Sequence, residues 1–257
     1  MSTQNVIIKE NNFATQQGDE MKILLFDIET APNVSYTWGK WEQDVIRFKK
    51  QWYMLSFAYK WLGERKVHVR SLRQYPSYKR DPENDLALVR ELLQLFNEAD
   101  VIVAHNGNSF DIKMAQSRFM AHNLPVPKPF KSVDTKLVAK RYGRFMSNAL
   151  DDLGADLGLG RKIKHAGFDM WLGCMEGDEK HWKNMEKYNK QDVVLLEKVY
   201  LHLRGYMSNH PKTFEGKACD VCNSTHVTFR GTMRTKTRSF RRFQCQDCGT
   251  WGTVKKL

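Results

Sequence analysis

The chain has 257 residues, of which 41% are hydrophobic and 12% aromatic, which suits one substantial domain with a small appendage and excludes a disordered protein. Its 41 basic and 29 acidic residues give a formal charge of +12, which favours a polyanionic partner such as nucleic acid. No run approaches the ~18–20 apolar residues of a membrane span, and residues 1–20 lack a secretory signal pattern. We therefore expect a soluble, cytoplasmic protein with no membrane contact.

Ordered structure is predicted to begin at Met21, after a flexible N-terminal extension over residues 1–20. Residues 22–29 form a mostly apolar run, which is typical of a strand buried on both faces of a sheet. Apolar and alternating patterns predict further short strands over residues 54–60, 66–72 and 101–104. The Leu-Gly-Glu-Arg sequence at 62–65 predicts the turn between the first two of these.

A helix is predicted to start at Asp81, a suitable N-cap, with Pro82 at its first position and an apolar stripe that ends near residue 98. The same periodicity predicts further helices over residues 111–123, 149–157 and 179–206. Because the predicted strands are interleaved with helices, we expect an α/β architecture.

The helical pattern stops at the Ser-Asn-His-Pro sequence of residues 208–211. We therefore place a linker at residues 208–217, between a large domain over residues 21–207 and a small one over residues 218–257. The composition of the two parts differs, because the small one contains four of the five cysteines.

Two carboxylates lie on the first predicted strand, at Asp27 and Glu29. Because side chains alternate across a strand, both project from one face while Ile28 enters the opposite core. Adjacent carboxylates inside a sheet are costly unless a cation neutralises them, so the pair indicates a divalent-metal site. The alternative is a strand end at which both acids meet solvent, since Asp-x-Glu is a short pattern.

Further acidic positions follow at two predicted element boundaries. Asp111 comes after a polar loop at residues 105–110, directly beyond a buried strand, where α/β sheets place ligand groups. A helix-start acid that interacts with the helix dipole explains Asp111 equally well. Tyr188 and Asp192 are four residues apart on a predicted helix, so they share one face. They either act on one site or form an ordinary surface pair.

Taken in chain order, these motifs resemble those of the DEDD exonucleases. Phe-Asp-Ile-Glu-Thr at 26–30 is similar to the first family motif, Asn-Gly-Asn-Ser-Phe-Asp at 106–111 to the second, and Tyr-x-x-x-Asp at 188–192 to the third. The chain fits the DEDDy branch, because Lys187 stands where the histidine branch would carry its histidine. The resemblance covers residues 21–207, is closest to the proofreading domain of family B DNA polymerases, and implies an RNase H-like fold.

The resemblance implies a 3′–5′ exonuclease that releases nucleoside 5′-monophosphates from DNA. It implies two Mg²⁺ or Mn²⁺ ions, which activate the attacking water and stabilise the leaving 3′ oxygen. Tyr188 would orient the water, because a phenol with a pKa near ~10 directs a hydrogen bond better than it accepts a proton at neutral pH. The implied metal ligands are Asp27, Glu29, Asp111 and Asp192.

Residues beside these motifs are implied to contact the terminal nucleotide: Thr30, Asn106 and Phe110. Thr30 has a backbone or capping role as its alternative, and Phe110 suits the core at least equally. His105 is predicted to be structural and not a base, since Tyr188 already fills that role. Cys174 is predicted to be a small buried apolar residue.

The C-terminal cysteines form two Cys-x-x-Cys pairs: Cys219, Cys222, Cys245 and Cys248. Without an export signal, this grouping favours a metal site over disulfides. Four thiolates in two close pairs predict a tetrahedral structural Zn²⁺ in a zinc ribbon, with redox pairs or an iron centre as alternatives. So small a domain has few other means of stability.

Basic and aromatic residues alternate between the cysteine pairs. Residues 218–257 hold eight Lys and Arg residues against two Asp residues, a formal charge of +6 that a zinc tetrathiolate lowers to about +4. Arginine beside aromatic residues binds phosphates and stacks on bases, so we predict a nucleic-acid clamp. Its predicted contacts are Arg230, Arg234, Arg238, Arg241 and Arg242. The alternatives are a protein-docking ribbon, or solvated bases around a minimal core of Phe240, Phe243 and Trp251.

Three classes of function compete at this point. The first is a free-standing exonuclease on single-stranded or frayed DNA, with RNA as an alternative substrate. The second is a proofreading module docked on a separate polymerase or replication protein, since the chain has no room for a polymerase domain. The third is a structure-specific endonuclease or an inactive binder, and the four acids argue against inactivity. A compact nuclease with an appended ribbon suits a bacteriophage, whose protein would act in the host cytoplasm.

Overall fold

The computed structural model of the protein describes residues 21–41, 44–164, 166–207, 210–211, 218–222 and 224–255. The N-terminal extension predicted over residues 1–20 lies outside this part of the chain. Most of the linker predicted over residues 208–217 also lies outside it, so the division of the chain at that point stays a prediction.

The larger part of the chain is built around a mixed β-sheet. Its strands, with one separate hairpin, are β1 (Ile23–Thr30), β2 (Val34–Tyr36), β3 (Arg47–Lys50), β4 (Met54–Trp61), β5 (His68–Ser71), β6 (Val101–Ala104) and β7 (Lys131–Asp134). Five of them form the sheet in the order β5-β4-β1-β6-β7, and β2 pairs with β3 outside it. The β4 strand runs antiparallel to β1 and β5, whereas β6 is parallel to β1 and β7. The central strand is therefore β1.

Helices cover both faces of this sheet, which confirms the predicted α/β class. They are α1 (Leu86–Glu98), α2 (Asp111–Ala121), α3 (Thr135–Tyr142), α4 (Leu150–Asp156), α5 (Asp169–Met175) and α6 (Glu179–Leu203). One apolar core lies under α1, α2 and α5, and a second lies under α3, α4 and the C-terminal half of α6. Within the described residues, none of these helices is long and apolar enough to cross a membrane.

The side chains of β1 alternate between the two cores. Phe26 and Ile28 pack into one core, whereas Leu25 packs into the other. Asp27 and Glu29, at the next odd-numbered positions, therefore project from the face of Leu25, as strand alternation predicts. Both acids are half-buried, while the apolar residues around them are almost fully enclosed.

Helix α1 begins at Leu86, with Asp85 as its N-cap residue, so the predicted start at Asp81 was wrong. Asp81 instead forms a turn, in which its carboxylate accepts a hydrogen bond from the backbone N–H of Glu83. The Asp85 carboxylate points inward, fully buried, and Arg118 donates two hydrogen bonds to it at 2.6 and 2.7 Å. A tertiary ion pair thus fixes the helix start, and local capping signals do not reveal such a pair.

Several short elements were not predicted: the β2–β3 hairpin, β7, α3 and α5. Each is eight residues or shorter. Asp134 shows how such an element is fixed, because its carboxylate accepts hydrogen bonds from the first backbone N–H groups of α3 and from the loop after β6. Short elements present too few turns for hydrophobic periodicity to distinguish them from loops.

The C-terminal part forms a three-stranded antiparallel sheet. Its strands are β8 (Val227–Arg234), β9 (Ser239–Cys245) and β10 (Trp251–Lys255), with β9 in the middle. Phe243 is buried beside the cysteines, whereas Phe240 is half-buried and Trp251 is 52% exposed. The minimal aromatic core considered from the sequence therefore shrinks to Phe243.

This small sheet touches the end of α6. A Cβ atom on Gly205, two residues past α6, would lie 2.4 Å from the carbonyl oxygen of Cys248. On the neighbouring side, Ile23 of β1 and Val221 line one cleft between the two parts. The C-terminal sheet therefore lies near the start of β1, at the end opposite to Glu29.

Candidate active site

Three carboxylates from two elements converge beside β1. Carboxylate oxygens of Asp27, Glu29 and Asp192 all lie within 4.8 Å of one another. The first two come from β1, and Asp192 comes from the middle of α6, where it is buried. Oxygen ligands at this spacing are suited to surrounding a hard divalent cation.

Asp111 lies next to this cluster. It is the first residue of α2 and is buried, and its Oδ1 accepts a hydrogen bond from the backbone N–H of Ile28, 3.2 Å away. That N–H lies between the two acids of β1. The loop before Asp111 needs a glycine, because a Cβ on Gly107 would lie 2.5 Å from the Cβ of Ala104. The fold thus brings the second motif against the first.

Three of the carboxyl groups, those of Asp27, Glu29 and Asp111, have raised pKa values. Burial, followed by the charges of the neighbouring acids, raises the pKa of Asp27 well above its ordinary value. Burial and the charge of Asp192 raise the pKa of Glu29 to about 8. Burial also raises the pKa of Asp111 to about 7, although hydrogen bonds from backbone N–H groups act against it. Because a bound cation would remove this repulsion, the residues fit Mg²⁺ or Mn²⁺.

Lys162, in the loop between α4 and α5, is a cation of this site that sequence reasoning missed. Its Nζ donates hydrogen bonds to Asp192 Oδ2 at 2.6 Å and to the Tyr188 hydroxyl at 3.0 Å. Burial acts to lower the pKa of Lys162, but the charge of Asp192 and these two hydrogen bonds outweigh it and raise the pKa. Asp151 fixes the loop, because its Oδ1 accepts the backbone N–H of Lys162 at 2.6 Å.

Tyr188 lies one helical turn before Asp192 and faces the same cluster. Burial, followed by the charge of Asp192, raises the pKa of Tyr188 above its ordinary value. Its ring packs edge-to-face against Trp171, with centroids 6.2 Å apart. The phenol is therefore protonated at neutral pH, and its oxygen accepts the hydrogen bond from Lys162.

Two further side chains orient the acids, and neither was singled out from the sequence. Trp171, on α5, donates its indole N–H to Glu29 Oε2 at 3.1 Å. Asn189, on α6 and fully buried, donates to Asp27 Oδ2 at 2.7 Å and accepts a hydrogen bond from the Ser56 hydroxyl at 3.1 Å. Asn189 could have been singled out because it lies between Tyr188 and Asp192 in the third motif. Trp171 could not, because α5 was not predicted.

The residues predicted to contact the terminal nucleotide occupy loops and element ends. Thr30 ends β1 at a β-bulge. Asn106 has a φ of 66°, and its backbone N–H donates to Asp134 Oδ1 at 3.0 Å. Phe110 is 39% exposed and is therefore not a core side chain. Their contacts with a nucleotide stay predictions.

His105 and Cys174 have the structural surroundings expected of them. The two ring nitrogens of His105 contact the Thr135 hydroxyl at 2.9 Å and the Asn148 carbonyl oxygen at 3.0 Å. Burial lowers the pKa of His105 to about 4, so the ring is neutral at pH 7. Cys174 lies on α5 and its side chain is buried in the core, where burial raises the pKa of the thiol to about 12.

The four C-terminal thiols form one cluster. The sulfur atoms of Cys219 and Cys248 are 3.6 Å apart, those of Cys222 and Cys245 are 3.5 Å apart, and all four lie within 4.8 Å of one another. These separations are far longer than the ~2.05 Å of a disulfide. They are close to the ~3.8 Å between sulfurs that each lie ~2.3 Å from a tetrahedral metal ion. The four cysteines thus fit one metal ion.

The basic residues of the small sheet are all exposed: Arg230, Arg234, Arg238, Arg241 and Arg242. Two of them cover aromatic rings of the same sheet. The Cζ atom of Arg241 lies 4.2 Å from the ring centroid of Phe229, and that of Arg242 lies 5.9 Å from the ring centroid of Trp251. The surface therefore presents guanidinium groups above rings.

A five-stranded mixed sheet with acids on its central strand and on the long helix packed against it defines an RNase H-like fold. A family model described as RNase_H superfamily matches residues 24–204, and the chain belongs to this superfamily. No curated protein matches the chain.

Among solved structures, the chain is similar to the family B DNA polymerase from the hyperthermophilic archaeon Pyrobaculum calidifontis. The two share 18% sequence identity with a TM-score of 0.51, over 71% of this chain and 25% of the polymerase. The chain thus corresponds to about a quarter of that protein, and the likeness shows a shared fold. Membership of the RNase H superfamily indicates a nuclease, and the acidic cluster gives it a place for divalent metal ions.

Proposed function

We propose that the protein is a metal-dependent 3′–5′ exonuclease that removes nucleoside 5′-monophosphates from single-stranded or frayed DNA ends. The observation that carries this proposal is the convergence of Asp27, Glu29 and Asp192 within 4.8 Å, with Tyr188 one turn from Asp192. Nucleases commonly hold a pair of divalent ions between carboxylates. The fold shared with part of a DNA polymerase supports DNA as the polymer.

The proposed ligands of two Mg²⁺ or Mn²⁺ ions are Asp27, Glu29, Asp111 and Asp192. When bound, such ions supply positive charge to the attacking water and to the leaving 3′ oxygen. The chain itself fixes the ligands, since Asn189 holds the carboxylate of Asp27 and Trp171 holds that of Glu29. Outer hydrogen bonds of this kind orient ligands and tune their affinity for metal.

Tyr188 and Lys162 act on the reacting groups. The protonated Tyr188 donates a hydrogen bond that orients the attacking water, and its raised pKa keeps it from acting as a base. The Lys162 ammonium group, 3.0 Å from that phenol, supplies positive charge where the phosphodiester gains negative charge. Thr30, Asn106 and Phe110 are proposed to hold the terminal nucleotide, with the exposed Phe110 ring as a stacking surface.

The C-terminal sheet is proposed to be a zinc ribbon that binds nucleic acid. One structural Zn²⁺ would be held by Cys219, Cys222, Cys245 and Cys248, whose sulfur separations suit tetrahedral coordination. The arginines of β8, β9 and their connecting turn, Arg230 to Arg242, would contact phosphates. Such contacts would strengthen binding without selecting a sequence.

The test uses 5′-labelled single-stranded DNA and the matching RNA, each incubated with Mg²⁺, with Mn²⁺ or with EDTA. We expect a metal-dependent ladder that shortens from the 3′ end of DNA and is lost in an Asp27→Ala/Glu29→Ala variant. The RNA lanes measure the preference between the two polymers.

The matched control is Asp156→Ala/Glu176→Ala, which removes one Asp and one Glu from exposed positions. This variant should cleave like the wild-type protein. Uncut substrate with every metal would contradict the proposal, and cleavage of a closed single-stranded circle would identify an endonuclease instead.

A further inference from the structure

The hairpin that leaves the sheet between β1 and β4 exposes an unusual amount of apolar surface. We call it the tryptophan hairpin; its described residues are 34–41 and 44–50. Large side chains that are 43–87% exposed occur along it: Tyr36, Trp38, Trp41, Val45, Ile46 and Phe48. Trp38 is 87% exposed and Trp41 is 84% exposed. Large apolar side chains that are exposed together on one short hairpin indicate a binding surface.

The tryptophan hairpin has little packing of its own. Within the described residues, its strands β2 and β3 pair only with each other, and a two-stranded hairpin has no core. Its base is fixed to the domain, because Ala31 N–H donates to the Tyr53 carbonyl and Asn33 Oδ1 accepts from Trp52 N–H, both at 2.9 Å. Only the base is therefore anchored, and the tip projects its rings into solvent.

Cations accompany these rings. Lys40 Nζ lies 5.0 Å from the ring centroid of Trp41, and Arg47 pairs across the strands with Tyr36. Lys49 is exposed on the same strand as Arg47, and neither forms an ion pair within the part of the chain that the structure describes. Lys50 differs, because it is paired with Glu83. The hairpin thus combines flat apolar rings with cations that are available to an anion.

The hairpin begins directly beyond the acidic cluster. Val34 comes five positions after Glu29, and an extended chain over five steps spans at most ~18 Å. The ribbon, in contrast, lies near Ile23 at the other end of β1. A strand that leaves the acidic cluster beyond Glu29 therefore meets the tryptophan hairpin and not the ribbon.

We propose that the tryptophan hairpin binds the single-stranded segment that leads to the 3′ end, with Trp38 and Trp41 stacking on its bases and Arg47 and Lys49 contacting its phosphates. Aromatic rings beside cations are the combination that holds single strands without sequence preference. This inference rests on the proposed function, since it names the path of that substrate. It also separates two roles, because Trp38 and Trp41 are 87% and 84% exposed, whereas Phe229 and Trp251 of the small sheet are 41% and 52% exposed.

The experiment measures fluorescence anisotropy of labelled dT12 and dT3 in EDTA, so that binding is recorded without hydrolysis. We expect Trp38→Ala/Trp41→Ala to bind dT12 about tenfold to a hundredfold more weakly than wild type, because two stacked bases are lost. The loss for dT3 should be much smaller, since few of its nucleotides reach the hairpin. Quenching of tryptophan fluorescence by dT12 should fall in parallel.

The control is Val126→Ala/Met146→Ala, which removes apolar side chains that are 91% and 101% exposed elsewhere on the surface. Its affinity for dT12 should equal that of wild type. A tryptophan variant that binds dT12 within twofold of wild type overturns the inference, as does a wild-type protein that does not bind dT12 at all.

The outcome also separates this inference from the proposed exonuclease. Loss of dT12 binding in the variant, combined with wild-type protein that never cleaves with metal, would support the hairpin and contradict the exonuclease. Cleavage by the wild-type protein, combined with unchanged dT12 binding by the variant, would support the exonuclease and contradict the role of the hairpin.

Discussion

The protein contains two clusters of metal-ligating side chains that are built in opposite ways. The acidic cluster collects Asp27 and Glu29 from a strand and Asp192 from a helix more than 160 residues later. The cysteine cluster collects two pairs that lie within one 30-residue stretch, Cys219 to Cys248. The acidic cluster sits on a folded domain with two large apolar cores, whereas the cysteines make up half of the small core around them.

This difference in construction indicates what a metal ion would contribute at each cluster. The acids are held by hydrogen bonds from Asn189, Trp171 and Lys162 on a fold with its own apolar cores, and a bound cation would remove their mutual repulsion. The small sheet has Phe243 as its one fully buried aromatic among the described residues, so little besides metal can hold it together. We therefore expect metal at the acids to matter for chemistry and metal at the cysteines to matter for folding.

The largest expected effect is loss of the ribbon in a Cys219→Ser variant. Structural zinc contributes roughly 10–16 kcal/mol to such small domains, so the variant should lose its zinc and the ordered structure of β8–β10. Zinc content by elemental analysis and protection of amide hydrogens report this directly. Cys174→Ala, at the buried cysteine outside the cluster, should retain one zinc per chain. A zinc-loaded Cys219→Ser protein would remove the contrast between the two clusters.

The second-largest effect is expected in the acidic cluster. Asp27→Asn should lower the cleavage rate more than about a hundredfold, because even outer partners of a metal cost 10–100-fold when removed. The same change should raise the melting temperature of the metal-free protein, since one of four mutually repelling carboxylates is removed while Asn189 keeps an oxygen to bind. Asp156→Asn serves as the control and should change neither quantity. A lower melting temperature would show that the acidic cluster also stabilises the fold.

A smaller effect is expected at Asn189. Asn189→Ala leaves the Ser56 hydroxyl and the Asp27 carboxylate without their buried amide partner. We expect the free energy of unfolding in urea to fall by about 1–3 kcal/mol, the usual cost of unsatisfied buried polar groups. Asn184→Ala, at an exposed position of the same helix, should have no measurable effect. Equal stability of the two variants would show that the amide does not support the acids.

The smallest effect is expected at Lys162. Lys162→Met removes the hydrogen bonds to Asp192 and Tyr188, so the cleavage rate should fall about tenfold, at the lower end of the effect of an outer partner. Lys164→Met, two residues along and exposed, should cleave like wild type. An unchanged cleavage rate in Lys162→Met would show that Lys162 does not take part in the reaction.

The sequence predicted the parts of the fold that repeat a pattern over many residues. The central strand, the parallel strand β6 and the long helix α6 follow from apolar runs and helical periodicity, and the acids within them follow from their spacing. The side chains that support those acids could not be found in this way. Lys162 and Trp171 come from a loop and a seven-residue helix, and they reach the site only through tertiary packing.

The start of α1 shows the same limit. Asp81 and Pro82 carry every local sign of a helix start, yet Asp85 replaces them because Arg118, 33 residues later, holds its carboxylate in the interior. The four cysteines were predicted fully, since two short spacings specify a tetrahedral site without reference to the rest of the chain.

Gly205 limits how the small C-terminal sheet could be transferred to another protein. The small sheet contacts the turn after α6 at a point where there is no room for a methyl group, since a Cβ on Gly205 would lie 2.4 Å from the Cys248 carbonyl oxygen. A graft of this small sheet onto another nuclease would need a residue without a Cβ at the corresponding contact, and Gly205→Ala should displace the small sheet relative to the end of α6.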